Sequence, residues 1–269
     1  MPAPSDITPG ERLGTIRAAV DRWSAYAQQP QPVRPGSSLA ADDAAFEVLP
    51  VSQVAWQGIS SAIDHLDSFM DLLDGGKAHP LSPGTLARSG ILGAAHALWV
   101  LDVPDREERQ RRGLRLAHED FKREQQLVTD MRDLMGDPTG TGQERIDILT
   151  EWMGRAVTVG TTTLNMTPAA VRRFTDTALI DEVAARYAEA VPDSGDIAVS
   201  YRMVWRIYSG SAHGLRWSAM LNAAIERNAD GPGGNAYVTK DLSDLAMAAS
   251  AVAIFAHRAI ELYDEQRTP

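Results

Sequence analysis

The periodicity of this chain is helical almost from end to end, and that constrains its fold more than any motif does. Apolar residues recur three and four positions apart over about 9–28, 51–74, 83–102, 105–135, 142–156, 176–190, 196–227 and 240–265, whereas strand-like alternation is rare. Each such stripe has to be buried against another helix, so the pattern predicts an all-α fold, an elaborated helical bundle. Thr8-Pro9, Ser82-Pro83 and Pro104 supply start signals, because proline fits the first helical turn, where its missing N–H is not needed. Gly75-Gly76, GDPTGTG at 136–142 and Asp193-Ser194-Gly195 read as breaks. QPQPVRPGSSLAADD at 29–43 reads as a linker that neither continues a helix nor buries much surface. Residues 1–43 are therefore expected to form an N-terminal helical arm and linker, and residues 44–269 the bundle domain. A second conspicuous loop, ADGPGGNAYVTK at 229–240, has room for a short extended segment at Ala236–Thr239.

Composition narrows the function classes. With 269 residues, 44% hydrophobic and 23% charged, the chain has the make-up of a folded globular protein. It shows no unbroken apolar run approaching the roughly 18 to 20 residues that span a bilayer. Its opening, MPAPSDITPGERL, lacks the basic-then-apolar order of a secretion signal, so a cytoplasmic location away from membranes is expected. Cysteine is absent, which removes disulfides, thiolate nucleophiles and thiolate metal sites together. A formal charge of −10 argues against a general nucleic-acid coat, so any nucleic-acid binding needs a local patch. GDPTGTG has no lysine in the phosphate-loop position, and neither HExxH nor ExxH occurs, so no cofactor and no metal site is expected.

The chemistry concentrates in YRMVWRIYSGSAHGLRW, residues 201–217. On one continuous helix, at about 100° per residue, Arg206 and His213 share a face, and Arg202, Ser209 and Arg216 lie within roughly 40° of that line. Tyr201, Val204, Tyr208, Ala212, Leu215 and Ala219 form an apolar face on one side, and Met203, Ile207, Leu221 and Ile225 a second flank. A polar stripe between two apolar borders suits a groove between packed helices. Arginine stays protonated and grips phosphate through two parallel hydrogen bonds, while histidine exchanges a proton near neutrality. That pair suits phosphodiester chemistry without a metal: His213 deprotonates an RNA 2′-hydroxyl, Arg206 stabilises the crowded phosphorus, and Ser209 orients either partner. The same residues could instead bridge helices structurally, as a buried Arg206–His213 hydrogen-bond system closed to phosphate.

RIYSGSAH, from Arg206 to His213, fits the R-x(4–6)-H pattern and resembles HEPN-domain proteins, all-α bundles that include metal-independent RNases of toxin–antitoxin and antiphage systems. YRMVWRIYSGSAHG is also similar to the YR…S…HG segment of bacterial helical proteins related to that group. With LARSGILGAAHALWVLD and RRGLRLAHEDFKRE upstream, the likeness covers about 83–225. The resemblance implies a homodimer whose motif helices meet in one composite cleft, RNA as the ligand, and an antitoxin or other protein as a further partner. It makes Arg206 and His213 the catalytic pair and Arg202, Ser209 and Arg216 the substrate-binding residues. Ile207 stands where active HEPN ribonucleases commonly carry a polar residue, and a helical scaffold that only binds RNA or a protein would retain the same motif.

Other features have plainer readings beside sharper ones. Gly210 and Gly214, four apart in the motif helix, suggest close approach of another helix, from this chain or from a second copy. REERQRRGLRLAHEDFKRE at 106–124 holds Arg106, Arg109, Arg111, Arg112, Arg115, Lys122 and Arg123, a phosphate-facing patch unless the interleaved Glu107, Glu108, Glu119, Asp120 and Glu124 pair with them. Asp64, Asp67, Asp71 and Asp74 with His65 could meet a divalent cation or simply coat an exposed helix. His96 and His257 read as core histidines, His118 belongs to the charged helix with no persuasive local partner, and Trp99, Trp205 and Trp217 read as core rather than the lining of a small-molecule site.

Overall fold

The computed structural model describes residues 7–76, 79–191, 195–221, 223–227, 234–238 and 241–269. Its elements are α1 (Pro9–Ala27), α2 (Ser38–Asp43), α3 (Val51–Asp74), α4 (Ser82–Leu101), α5 (Arg106–Met135), α6 (Thr141–Thr162), α7 (Pro168–Arg172), α8 (Asp176–Ala190), α9 (Gly195–Ala212), α10 (Arg216–Met220), β1 (Ala223–Arg227), β2 (Gly234–Val238) and α11 (Leu242–Arg267). The fold is all-α, with one two-stranded antiparallel hairpin that pairs Ala223 with Val238 and Arg227 with Gly234. Thr8 starts α1 as expected: its hydroxyl accepts from the Glu11 N–H while the Glu11 carboxylate accepts from the Thr8 N–H, a reciprocal capping box.

The sequence expectations need four corrections. The stretch 29–43 is not a featureless linker: Ser37 caps α2, and Leu39 and Asp42 are completely buried. The short helix α7, started by Thr167-Pro168, had no long apolar stripe to announce it. The single motif helix expected over 196–227 is broken into α9, a turn, α10 and β1. Finally, α11 does contain an 18-residue window with mean hydropathy 1.5, but 67% of that window is buried inside the protein, as in a core helix. The extended segment expected at Ala236–Thr239 corresponds to β2, and Asp193, Ser194 and Thr239 lie outside the described residues.

Two compact units make up the chain. The first comprises Met1–Gln31, Gly58–Ala95 and Ile180–Ile260. Its α4 carries three glycines that admit neighbours too close for a side chain. A Cβ at Gly84 would lie 2.5 Å from the Tyr208 ring, at Gly90 2.8 Å from Val252, and at Gly93 2.7 Å from the Gly58 carbonyl oxygen. Tyr201 of α9 is fully buried here; its ring stacks on Phe255 at 3.7 Å between centroids, and its hydroxyl donates to the Ile91 carbonyl at 2.9 Å. Leu13, Ile16 and Val20 bury one face of α1.

The second unit comprises Pro32–Gln57, His96–Leu179 and Glu261–Pro269. Here α5 and α6 run antiparallel, since Arg111 bonds Leu164, Gln125 bonds Thr150 and Arg132 bonds Gln143. Phe46, Leu114, Phe121, Leu149, Leu164 and Val171 fill the core between them. The buried Arg109 guanidinium donates to both Asp42 carboxylate oxygens, at 2.7 and 3.2 Å, and to Ser38 at 2.8 Å, which fastens α2 to α5.

Candidate nucleic-acid interface

The end of α9 decides what the motif can do. The Leu215 N–H donates to the Gly210 carbonyl at 2.9 Å and the Gly214 N–H to the Ser211 carbonyl at 3.0 Å, while Gly214 takes φ +66°. This six-to-one and five-to-two pair around a left-handed glycine is a Schellman cap, and it stops the helix at His213. The His213 N–H still donates to the Ser209 carbonyl at 3.1 Å, so His213 stays on the helical path and keeps its phase with Arg206. Arg216 does not: it is the first residue of α10, off the wheel that the continuous-helix reading assumed.

Arg206 and His213 are both exposed, and among the described residues neither side chain has a hydrogen bond or ion pair. The buried Arg206–His213 network of the structural reading does not form. Arg216 is likewise exposed and unpaired. The supporting residues behave differently. Arg202 is held by Asp181, through its carbonyl at 2.8 Å and its carboxylate at 3.1 Å. Ser209 donates to the Trp205 carbonyl at 2.7 Å and accepts from the Arg88 Nε at 3.1 Å, so its hydroxyl is engaged within the protein. Arg88 of α4, whose guanidinium sits 4.6 Å over the Trp205 ring, was invisible to motif reasoning because nothing local in LARSG points to a serine 121 positions away.

Of the two apolar faces expected around the stripe, only the first is core, and only as far as Tyr208, since Ala212 and Leu215 of that face are exposed. Tyr201, Val204 and Tyr208 are buried, whereas Met203, Leu215 and Leu221 are about half exposed. The closeness suggested by Gly210 and Gly214 is resolved within the chain: Gly214 terminates the helix, and the six-membered ring of Trp217 in α10 rests on Gly210, where a Cβ would lie 2.5 Å from Cζ2. Trp205 and Trp99 are buried, but Trp217 is 48% exposed.

The remaining candidates resolve into structure. Arg109, Arg111, Arg112, Lys122 and Arg123 pair with Asp42, Glu107, Glu108 and Glu119, which neutralises most of the basic segment. Arg17 of α1 sits in the acidic row of α3, 3.0 Å from Asp67 and 2.9 Å from Asp71, and no group of three potential metal ligands occurs among the described residues. His65 bonds the Ser61 carbonyl at 2.7 Å, His96 lies 3.5 Å from Asp176, and His257 stacks on Trp23. His118 is buried, and that burial, with the positive charge of Arg172 nearby, pushes its imidazole below the usual histidine range. No protein-family model, curated protein or solved structure matches this chain.

Proposed function

We propose that this is a HEPN-like RNA-binding protein whose α9 surface contacts the phosphodiester backbone, and that it cleaves RNA without a metal when two such surfaces combine. The observation that carries the reading is that Arg206 and His213, in phase on one helix, are both exposed and, among the described residues, both uncommitted in their side chains. An arginine held for structure is normally paired, as Arg109, Arg112 and Arg202 are here. Among the described residues nothing engages the Arg206 guanidinium, and phosphate is the ligand its planar fork fits best.

Seven residues of helix separate the two side chains by about 10 Å along the axis. Both also lean toward the helix N-terminus, so within one copy they do not converge on one phosphorus. A single copy therefore suits neighbouring phosphates of one strand, and cleavage calls for a homodimer in which one copy's Arg206 faces the other's His213. In that cleft one histidine takes the 2′-hydroxyl proton, the 2′-oxygen attacks phosphorus, and the bond to the 5′-oxygen breaks as a protonated histidine supplies its proton. The products are a 2′,3′-cyclic phosphate and a 5′-hydroxyl. The rim residues Met203, Leu215 and Leu221 are apolar surface of the kind that a second copy would cover.

The test is incubation of purified protein with an end-labelled RNA pool in EDTA, alongside Arg206→Ala and His213→Ala. The expected result is cleavage to cyclic-phosphate ends that both substitutions abolish. Binding that survives in His213→Ala but falls with Arg206→Ala supports RNA recognition alone, and absence of both binding and cleavage by the unaltered protein refutes the proposal.

A further inference from the structure

We infer that Trp217 is a base-stacking platform that makes the α9 surface selective for single-stranded RNA. The inference rests on the RNA reading above and adds the strand class and the residue that reads it. Three observations lead to it. First, Trp217 is 48% exposed although it lies in an ordered helix, whereas Trp205 and Trp99, which the sequence grouped with it, are 5% exposed. Second, the ring is seated rather than loose: its Cζ2 and Cε2 atoms lie where a side chain on residue 210 would be, 2.5 and 2.9 Å from the position of a Cβ, and Ser218 Cβ is 2.8 Å from the same point. Gly210 is thus required by the ring, and it falls between Arg206 and His213 on the same helix. Third, Arg206 stands one turn before Gly210 on α9 and Arg216 next to Trp217 on α10, and both are exposed and unpaired among the described residues, two uncommitted cations at the ring's seat and base in a chain of formal charge −10.

An aromatic ring beside uncommitted cations is the arrangement that binds single strands: the bases stack on the ring while the phosphates meet the charges. In a duplex the bases are already stacked and paired, so no base face is free for the ring and the contacts left are to phosphates, 2′-hydroxyls and groove edges. Free bases of any identity have a π face, so the platform is tolerant of sequence. A protein partner would also favour an exposed tryptophan. Arg206, His213 and Arg216, which flank Gly210 and Trp217 in the chain and have no side-chain partner among the described residues, favour a polyanion instead.

The experiment is fluorescence anisotropy of labelled 12-nucleotide oligo(U) and oligo(A) and of a 12-base-pair RNA duplex, with Trp217→Ala, Trp217→Phe and Gly210→Ala. Circular dichroism checks the fold of each variant. The expected result is tighter binding of both single strands than of the duplex, and loss of single-strand affinity in Trp217→Ala of roughly 5- to 150-fold, the scale of one lost stacked base. Trp217→Phe should stay within a few-fold of the unaltered protein. Gly210→Ala, which pushes the ring off its seat without removing it, should weaken single-strand binding with no loss of helix content. Folded Trp217→Ala that binds single strands as well as the unaltered protein overturns the platform while leaving the α9 RNA surface standing. Failure of the unaltered protein to bind any of the three probes instead overturns the RNA reading itself. Sedimentation showing that Trp217→Ala breaks a dimer at unchanged RNA affinity assigns the ring to a protein contact and also overturns the proposal.

Discussion

One substitution, made at two glycines, should give stability changes of opposite sign. Gly93 in α4 and Gly154 in α6 are both inside helices, and replacing either with alanine removes the helical penalty of glycine, about 1 kcal/mol. At Gly154 nothing lies within 4 Å of the new Cβ, so the full gain should appear. At Gly93 the new Cβ falls 2.7 Å from the Gly58 carbonyl oxygen and 2.9 Å from the Ala62 backbone nitrogen. Both atoms belong to the backbone of α3 and cannot rotate away, so relief requires the two helices to separate and loosen the packing of Ile59, Ala62 and Ile63. Overpacking of this kind costs roughly 1–3 kcal/mol, and with backbone on the receiving side the upper part of that range applies. The expectation is a net gain of about 1 kcal/mol for Gly154→Ala and a net loss of about 1–2 kcal/mol for Gly93→Ala. For a protein of this size each kcal/mol moves Tm by about 2–4 °C, which scanning calorimetry resolves. Each variant is compared with the unaltered protein in the transition that it moves. Equal stabilisation by both substitutions would refute the close α3–α4 approach and with it the reasoning about glycine in α4.

Two further perturbations test other parts of the fold. Arg109→Met leaves the fully buried Asp42 carboxylate with only the longer 3.6 Å contact to the exposed Arg106 and should cost about 3 kcal/mol in urea denaturation, whereas Asp42→Leu with Arg109→Met should recover most of it; a double variant no more stable than the single would refute the account. His118, whose pKa burial lowers in the folded protein, resists protonation there but not in the unfolded chain. Its contribution is therefore complete above the ordinary value of 6.5 and is lost as the pH falls from 6.5 toward the lowered folded value. Urea midpoints measured across that interval should fall toward acid with a smaller slope in His118→Gln, and an unchanged slope would sink the assignment.

The motif itself shows how far local signals reach. A seven-residue spacing puts Arg206 and His213 in phase wherever the helix lasts that long, and it lasts just long enough. The stop was also written locally, as Gly214 followed by an apolar Leu215, the pairing that closes a Schellman cap. Reading through it placed Arg216 on the wrong wheel. Ser209, by contrast, carried no local sign that Arg88 would occupy it, and Ile207 and Met203 alternate with the charges in the same way as the residues that are buried.

What the sequence determined by itself is the part governed by neighbours in the chain: an all-α fold, the limits of α1, α3, α4 and α5 to within a residue or so, the capping box at Thr8, and the mutual neutralisation of charges three and four apart in α5. These follow from backbone hydrogen bonding and side-chain phase over one or two turns. Only the tertiary structure decided the rest. It buried Asp42 and Arg109 together and seated Trp217 on Gly210. It passed three neighbours across the glycines of α4, and it left Arg206 and His213 open while closing Ser209 and Arg202. Each of those outcomes depends on contacts between residues distant in sequence or across a turn, where periodicity has no phase to transmit and only packing selects which polar groups meet a partner and which meet water.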